Sequence, residues 1–339
     1  MSIIIILLMM LQSVASLKRG LFVEVPYRMG LGLAALGRPG YINLDREKDL
    51  GGTRTEEMMR ERAFRVLDAA FESGLRWFDA ARSYGLSEQF LGDYLRSRKI
   101  APEDVWVSSK WGYRYAADWK VDVDGPHEVK DHSLAHLKSQ IAETEAALGD
   151  YVDLYQIHSA TFESGVLDNQ EVLKELETLK KKWKIGLSVS SPLQSEVLRK
   201  ALTIKCADNT TLLFDACQVT FNIFEQATFD ALIEANDKGL KIIVKEAMAN
   251  GRVLQAEPLL TLAKSLHCSP DALALAAVLA QPFNAFVLSG AVTSDQLQSN
   301  LKAKELADSL DPDIFQKLLT QCQQDSKTYW ADRAALKWN

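Results

Sequence analysis

Eight short apolar segments recur along the chain, and stretches with the spacing of amphipathic helices separate most of them. The segments lack strict alternation with polar residues, which is typical of strands buried on both faces of a parallel sheet. The predicted strands lie at residues 29–36, 75–79, 105–110, 152–158, 185–188, 214–219, 241–245 and 285–288. Helical spacing is found at residues 55–72, 133–148, 171–182, 195–202, 228–236 and 294–303, and Pro270 can begin a further helix.

This alternation predicts an α/β protein, a single-domain (β/α)8 TIM barrel, because the strand-then-helix unit occurs eight times in 339 residues. An open doubly wound sheet is the alternative, and its best support is the segment GLGLAA at residues 30–35. That dinucleotide-binding fingerprint must open a helix. Here Gly37, Pro39 and Gly40 follow it and prevent one. We therefore reject the alternative.

The first 25 residues form an apolar leader ahead of the predicted barrel, which we place at residues 26–339. Residues 3–11 are a run of nine apolar residues, too short to span a bilayer as a helix. The run resembles the core of a targeting signal, although no Lys or Arg precedes it. We expect a cytoplasmic protein, with organellar or secretory targeting through residues 1–20 as the alternative. The net charge of −6 argues against a nucleic-acid partner, and we expect no membrane partner either.

Several predicted strands end in polar or ionisable side chains, namely Asp79, Lys110, His158, Gln218 and Lys245. The chemistry of such barrels lies at the carboxyl ends of the strands, which meet at one rim. Unpaired buried charge is costly, so we expect these groups to converge and to find partners. Tyr84 follows Asp79 by five positions and belongs to the same rim.

The combination of Asp79, Tyr84, Lys110 and His158 suits proton delivery to a carbonyl group. A free phenol titrates near pH 10, and a nearby ammonium group favours the phenolate. A carboxylate paired with the lysine holds the ammonium in place, and a histidine can orient the carbonyl oxygen. The four residues therefore predict a general acid/base site. They do not predict a metal site, which would require donors at closer spacing.

The chain resembles the aldo-keto reductases from about Pro26 onward. The motif D-x-x-x-x-Y-G-x-[S/T]-E-x-x-L-G stands at residues 79–92, and the segment DLYQIHS at 153–159 matches the fourth strand of that family. The resemblance implies that Asp79, Tyr84, Lys110 and His158 are catalytic. It implies that Tyr84 donates the proton, that Lys110 lowers its pKa and pairs with Asp79, and that His158 positions the carbonyl. It also implies a hydride from a nicotinamide cofactor and no metal.

The resemblance also implies a cofactor site at Ser188, Gln218, Lys245, Gly251, Ser289, Gly290, Gln296 and Asn300. Val189 replaces the asparagine usual there, and the segment KEAM at 245–248 replaces an aromatic residue followed by Ser-Pro-Leu. Gln296 stands where an arginine grips the 2′-phosphate of NADP in many members, and such a phosphate needs charged partners. The usual cofactor preference of the family nevertheless leads us to expect NADP(H) as the cofactor in preference to NAD(H).

Trp111 and Tyr113, beside the insert at residues 113–133, are predicted to line the substrate pocket. Aromatic walls with polar atoms suit a polyhydroxylated or aromatic aldehyde. The predicted function is an NAD(P)(H)-dependent oxidoreductase that interconverts an aldehyde or ketone, sugars included, and its alcohol. We expect a monomer or weak homo-oligomer with a small-molecule carbonyl or alcohol substrate. The alternatives are a Schiff-base lyase or aldolase that uses Lys110, and a non-catalytic cofactor-binding regulatory subunit.

Overall fold

The computed structural model describes residues 25–339 of the chain. Eight strands form a closed barrel in which each strand pairs in parallel with both of its neighbours. The predicted (β/α)8 barrel is therefore confirmed. The predicted N-terminal leader, apart from residue 25, lies outside the described residues.

The strands, in chain order, are β1 (Met29–Gly32), β2 (Trp77–Asp79), β3 (Trp106–Trp111), β4 (Tyr113–Tyr115), β5 (Glu128–Lys130), β6 (Val152–Ala160), β7 (Lys184–Val189), β8 (Ala216–Thr220), β9 (Lys241–Lys245) and β10 (Phe286–Ser289). Strands β4 and β5 form an antiparallel pair outside the barrel, which the sequence did not predict. Seven predicted strands match barrel strands with ends that differ by at most two residues.

The first predicted strand, residues 29–36, is wrong beyond Gly32. Residues 33–37 form a turn in which the backbone N–H groups of Leu36 and Gly37 donate to the Leu33 carbonyl at 3.1 and 2.9 Å. The segment is apolar because Leu33, Ala35 and Leu36 are buried, and not because it is a strand. The turn brings the following residues over the rim of the barrel.

The helices are α1 (Arg46–Leu50), α2 (Glu56–Glu72), α3 (Ser87–Ser97), α4 (Leu134–Leu148), α5 (Gln170–Leu179), α6 (Gln194–Ala201), α7 (Phe229–Asp237), α8 (Glu257–Ser265), α9 (Pro270–Leu279), α10 (Ser294–Leu301), α11 (Ala303–Ser309), α12 (Pro312–Cys322) and α13 (Ser326–Ala334). The predicted helices are confirmed with ends that differ by at most three residues. The side chains of Thr55 and Ser133 cap α2 and α4, which fixes where these two helices begin.

The inside of the barrel is apolar toward the amino ends of the strands. Side chains alternate along each strand, so Trp77 and Asp79 share the inner face of β2, with Trp77 below and Asp79 at the rim. Gly30 makes room for Trp77, because a Cβ atom at Gly30 would lie 2.2 Å from its ring. The apolar cluster there comprises Val25, Trp77, Trp106, Leu154, Ala216, Ile243 and Leu288.

A second, larger apolar layer lies between the outer face of the barrel and the helices, and it includes Phe78 of β2 and Val107 of β3. The two layers leave the carboxyl ends of the strands as the place where buried polar residues gather. Across residues 25–339, none of the helices combines the length and the apolar character that a membrane span requires.

Candidate active site

A cavity of about 960 Å³ opens at the carboxyl ends of the barrel strands. The strand ends supply part of its wall. The rest comes from the turn after β1, the β4–β5 pair, the segment after β9, and residues of α1, α9, α10 and α13. The predicted residues that line it are Asp79, Tyr84, Tyr113, His158, Gln218, Lys245, Gly251, Ser289, Gly290, Gln296 and Asn300. Most of the predicted site residues are therefore brought together in one continuous space.

Asp79 and Lys110 form a buried ion pair at the ends of β2 and β3. The Lys110 ammonium group donates to Asp79 Oδ2, and to the Ala80 carbonyl at 2.9 Å. Asp79 Oδ1 accepts from the Ser108 hydroxyl at 2.6 Å and from the Gln218 amide at 3.3 Å. These bonds hold the carboxylate on the inner face of the barrel and give the ammonium group two acceptors.

Tyr84 lies directly over this pair. Its ring centroid is 4.7 Å from Lys110 Nζ and 5.4 Å from the imidazole centroid of His158, which meets it edge-on. Burial and the charge of Asp79 raise the pKa of Tyr84 well above its ordinary value. This differs from the expected tuning toward neutrality by Lys110, because burial and the carboxylate of Asp79 both favour the neutral phenol. The phenol therefore carries its proton at neutral pH, the form that a proton donor needs.

His158 is a neutral imidazole at the other side of Tyr84. Burial lowers the pKa of His158 well below its ordinary value, and the cations Lys110 and Arg38 lower it further. Its Nδ1 lies 3.3 Å from the Ser83 hydroxyl. A neutral imidazole in this position can donate one hydrogen bond to a carbonyl oxygen.

Glu88, the acid of the 79–92 motif, lies behind β3 and is fully buried. It accepts hydrogen bonds from the Ser109 hydroxyl at 2.5 Å, from the Thr144 hydroxyl at 2.9 Å and from Arg82 at 2.7 Å. Ser108 points inward to Asp79 while Ser109 points outward to Glu88. The network thus fixes the strand that carries Lys110 and the loop that carries Tyr84.

The cavity lining does not include three of the predicted residues, Lys110, Ser188 and Trp111. Ser188 is fully buried, and its hydroxyl accepts from the backbone N–H of Ser159 at 2.8 Å. The Trp111 ring is also fully buried and packs edge-on against His132 at 5.4 Å. Because Trp111 follows the inward-facing Lys110, strand alternation turns it to the outer face. Of the two predicted pocket aromatics, Tyr113 lines the cavity and Trp111 does not.

The end of β9 carries an ion-paired cluster where the resemblance had led us to expect an aromatic ring. The Lys245 ammonium group donates to the Thr220 hydroxyl at 2.8 Å, and burial lowers its pKa to about 8. Glu246 accepts from Arg333 Nε at 2.8 Å. Burial opposes its ionisation, but the charges of Arg333 and Lys245 lower the pKa of Glu246 to about 2. This wall of the cavity therefore carries two cations, Lys245 and Arg333, and one carboxylate, Glu246, which pairs with Arg333.

Gln296 and Asn300 lie beside carboxylates at the far end of the cavity. The Gln296 amide donates to Asp49 Oδ2 at 2.8 Å, and its oxygen accepts from the Val292 N–H at 3.0 Å. The Asn300 amide donates to Asp271 Oδ2 at 2.7 Å. Asp49 and Asp271 also line the cavity, and neither was predicted.

Several cavity residues were missed from the sequence, among them Arg38, Tyr41, Glu128, Trp330, Arg333 and Trp338. The sequence holds one indication that Arg38 is functional, since it is the only charged residue within residues 29–44. Of the others, Glu128 lies on β5, Tyr41 on a loop, and the remaining three on α13 or after it. The sequence pattern does not reveal where these elements pack. Within residues 25–339, no group of three His, Cys, Asp or Glu side chains is arranged to hold a metal ion.

Comparison with known proteins relates most of the chain to one group. The model of the Aldo/keto reductase family matches residues 28–318. Uncharacterized oxidoreductase YqkF of Bacillus subtilis (strain 168) is 24% identical over 294 residues, covering 78% of this chain and 89% of that protein. The D-threo-aldose 1-dehydrogenase of a Pseudomonas species is 24% identical over 246 residues, covering 68% of this chain and 70% of that protein. The solved structure of aldo-keto reductase AKR11C1 from Bacillus halodurans (holo form) has the same fold, with a TM-score of 0.63, 22% identity, and coverage of 88% of this chain and 94% of that chain.

Proposed function

Because this chain belongs to the aldo/keto reductase family, we propose that it interconverts an aldehyde or ketone and the corresponding alcohol with a nicotinamide cofactor. The observation that carries the proposal is the position of Tyr84 over the Lys110–Asp79 pair, with His158 at its edge. The phenol and the imidazole both line the cavity, so both are in reach of a bound carbonyl oxygen.

The cavity residues fit a nicotinamide nucleotide. The cavity runs without interruption from Asp79 to Gln296, which suits an elongated ligand. Asn250 lines it with a buried side-chain oxygen that has no partner among the described residues. The backbone at Gly290 is open, since nothing lies within 4 Å of a Cβ atom built there. The ring that would stack on the nicotinamide is replaced by Lys245, so we expect the nicotinamide to be held by polar groups such as Gln218.

The chain supplies the proton chemistry of this reaction. A bound nicotinamide cofactor supplies a hydride to the carbonyl carbon, or accepts one from the alcohol. In reduction, the Tyr84 hydroxyl donates its proton to the carbonyl oxygen, and the Lys110 ammonium group stabilises the phenolate that remains. In oxidation, the phenolate takes the proton from the alcohol. His158 donates a hydrogen bond to the same oxygen and orients it.

We further propose that the substrate is polyhydroxylated. The substrate side of the cavity carries charges that are already paired, Arg38 with Glu128 and Arg333 with Glu246. Each of these pairs is neutral and offers donors and acceptors to the hydroxyl groups of a substrate. Trp330 and Trp338 add aromatic surface. The related D-threo-aldose 1-dehydrogenase acts, by its name, on an aldose, which agrees with this proposal.

The experiment is an activity screen with the purified protein and either NADH or NADPH. We expect neutral aldoses and polyols to give higher kcat/KM than aliphatic aldehydes of similar size. A preference for the aliphatic aldehydes would contradict the polyhydroxylated substrate but not the reaction. Cofactor binding without turnover of any carbonyl or alcohol would instead favour the regulatory alternative.

The lyase or aldolase alternative is not supported by the position of Lys110. Its ammonium group is fully buried, donates to Asp79 and to the Ala80 carbonyl, and does not line the cavity. A Schiff base would require a neutral amine that reaches the substrate. Both requirements are opposed by the ion pair.

A further inference from the structure

Arg38 is a charged residue that the reaction as described does not use. Its side chain is 1% exposed, and two of its three guanidinium nitrogens donate hydrogen bonds. Its Nε donates to the Ala34 carbonyl at 3.0 Å, and its Nη1 donates to the Ser83 carbonyl at 3.2 Å and to Glu128 at 2.9 Å. Burial disfavours the cation, but the charge of Glu128 raises the pKa of Arg38 above its ordinary value. The guanidinium therefore stays charged.

The turn that carries Arg38 is interlocked with the turn that carries Tyr84. The Leu86 N–H donates to the Gly37 carbonyl at 2.8 Å. A Cβ atom at Gly37 would lie 2.3 Å from the Tyr84 carbonyl, and one at Gly85 would lie 2.4 Å from the Gly37 carbonyl. Gly85 also has φ +60°, which favours glycine. The close approach of the two backbones places the guanidinium next to the phenol.

Two cations therefore flank one phenol ring. The Arg38 Cζ atom is 4.9 Å from the Tyr84 ring centroid, and Lys110 Nζ is 4.7 Å from it. The two differ in their counter-ions. Lys110 is paired with Asp79, which itself acts on Tyr84, whereas the partner of Arg38 is Glu128, a carboxylate that is 21% exposed and therefore partly screened by water. Of the two cations, Arg38 thus has the less effective neutralising partner.

We propose that Arg38 is a positioning residue for the proton transfer, one that holds the Tyr84 turn and stabilises the phenolate by its charge, and that Glu128 limits this effect. The proposal rests on the proposed function of Tyr84. In the reductive step, the Tyr84 O–H bond breaks, its electron pair stays on the phenolate oxygen, and the proton forms the new O–H bond of the alcohol. The negative charge that appears on Tyr84 in this step is the charge that Arg38 stabilises.

The direction of the pKa effects agrees with the geometry. Burial raises the pKa of Tyr84 most, Asp79 raises it further, and Arg38 lowers it, while Glu128 and Glu246 raise it. The charged and titratable groups around the phenol are Arg38, Tyr41, Asp79, Lys110, Glu128, His158 and Glu246. Of these, Arg38 and Glu128 can be changed without touching a residue that we place in the catalytic set.

The test compares Arg38→Met, Arg38→Lys and Glu128→Gln with the wild type, in both directions of the reaction. We expect Arg38→Met to lower kcat about tenfold, which corresponds to a change of about one pKa unit. Arg38→Lys should retain most of the activity because the charge remains. Glu128→Gln should raise kcat a few-fold, since the amide still accepts a hydrogen bond while the counter-charge is removed. If the charge of Arg38 stabilises the phenolate, Arg38→Met lowers kcat and Glu128→Gln raises it. If the ion pair had only a structural role, either substitution would break it and both would lower kcat.

A second measurement does not depend on cofactor or turnover. The ionisation of tyrosine is followed by ultraviolet absorbance as the pH rises, and the Tyr84 contribution is isolated by subtracting the same trace for Tyr84→Phe in each background. We expect that contribution to begin at lower pH in Glu128→Gln than in the wild type. An unchanged onset, together with reduced kcat in both Arg38→Met and Glu128→Gln, would overturn the proposal. A wild-type protein without carbonyl reduction or alcohol oxidation would overturn the proposed function instead.

Discussion

The ammonium group of Lys110 and the carboxylate of Asp79 are paired inside the barrel, where the exposed fractions of the two side chains are 0% and 2%. Loss of one partner from such a pair leaves a buried charge without compensation. We therefore predict that Lys110→Met lowers the free energy of unfolding by about 3–5 kcal/mol. Urea unfolding monitored by tryptophan fluorescence measures this change.

The matched control for this prediction is Lys182→Met. Lys182 pairs with Glu145 at 2.7 Å, but the two side chains are 50% and 40% exposed. We expect a change below about 1 kcal/mol there. The double variant Asp79→Asn with Lys110→Met should lose less stability than the sum of the single variants. Additive losses would mean that the two charges do not compensate each other.

The carboxylate of Glu246 predicts a loss of stability in acid. Although burial opposes ionisation, Arg333 and Lys245 hold the pKa of Glu246 at about 2, below its ordinary value of 4.5. The stability that ionised Glu246 contributes is therefore present above about pH 4.5 and is lost as the pH falls toward 2. From the pKa shift, the contribution of Glu246 to the free energy of unfolding is on the order of 3 kcal/mol. Unfolding in urea at several acidic pH values tests this.

Glu246→Gln should flatten this acid dependence and lower stability at neutral pH. Glu234→Gln is the control, because Glu234 pairs with Arg199 at a site where both side chains are 45% exposed. If the two variants showed the same dependence of stability on pH, the ion pair in the cavity wall would not have the assigned role.

The hydrogen bond of the Gln296 amide suggests a substitution that would change the preference between NADPH and NADH. It donates to Asp49 at 2.8 Å, so a carboxylate lies beside the residue for which the family resemblance implies contact with a 2′-phosphate. We predict that Gln296→Arg tightens NADPH binding about tenfold relative to NADH. Quenching of tryptophan fluorescence on titration with each cofactor measures the ratio of the two Kd values.

Asp49→Asn in the Gln296→Arg background should increase this preference further, because the new guanidinium then has no carboxylate to pair with. The NADH affinity of the same variants is the control, since NADH lacks the 2′-phosphate. If Gln296→Arg tightened the binding of both cofactors equally, residue 296 would not contact the 2′-phosphate.

Most of the barrel could be predicted from the sequence because its strands are buried on both faces and read as apolar runs. The error after Gly32 has a physical reason: a buried turn is as apolar as a strand. The β4–β5 pair was missed because Tyr113–Tyr115 and Glu128–Lys130 are short and partly exposed. An apolar segment indicates that its residues are buried. The length of the segment is needed as well to distinguish a strand from a turn.

The catalytic candidates could be predicted because Asp79, Lys110 and His158 end or nearly end their strands, and such ends meet at one rim in any parallel barrel. Trp111 was wrongly assigned, although alternation along β3 already turns it away from Lys110. Arg38 and Arg333 were not predicted, because they reach the cavity from a turn and from the C-terminal helix. Their places depend on tertiary packing that no local pattern encodes.

The central claim is that Tyr84 transfers the proton. It is tested most directly by Tyr84→Phe, which removes one oxygen from a buried ring, with Tyr113→Phe as a control for a tyrosine that lines the same cavity. We predict that Tyr84→Phe binds the reduced cofactor with an unchanged Kd and loses at least about 100-fold in kcat. A Tyr84→Phe variant that turns over carbonyl substrates at the wild-type rate would contradict the assignment.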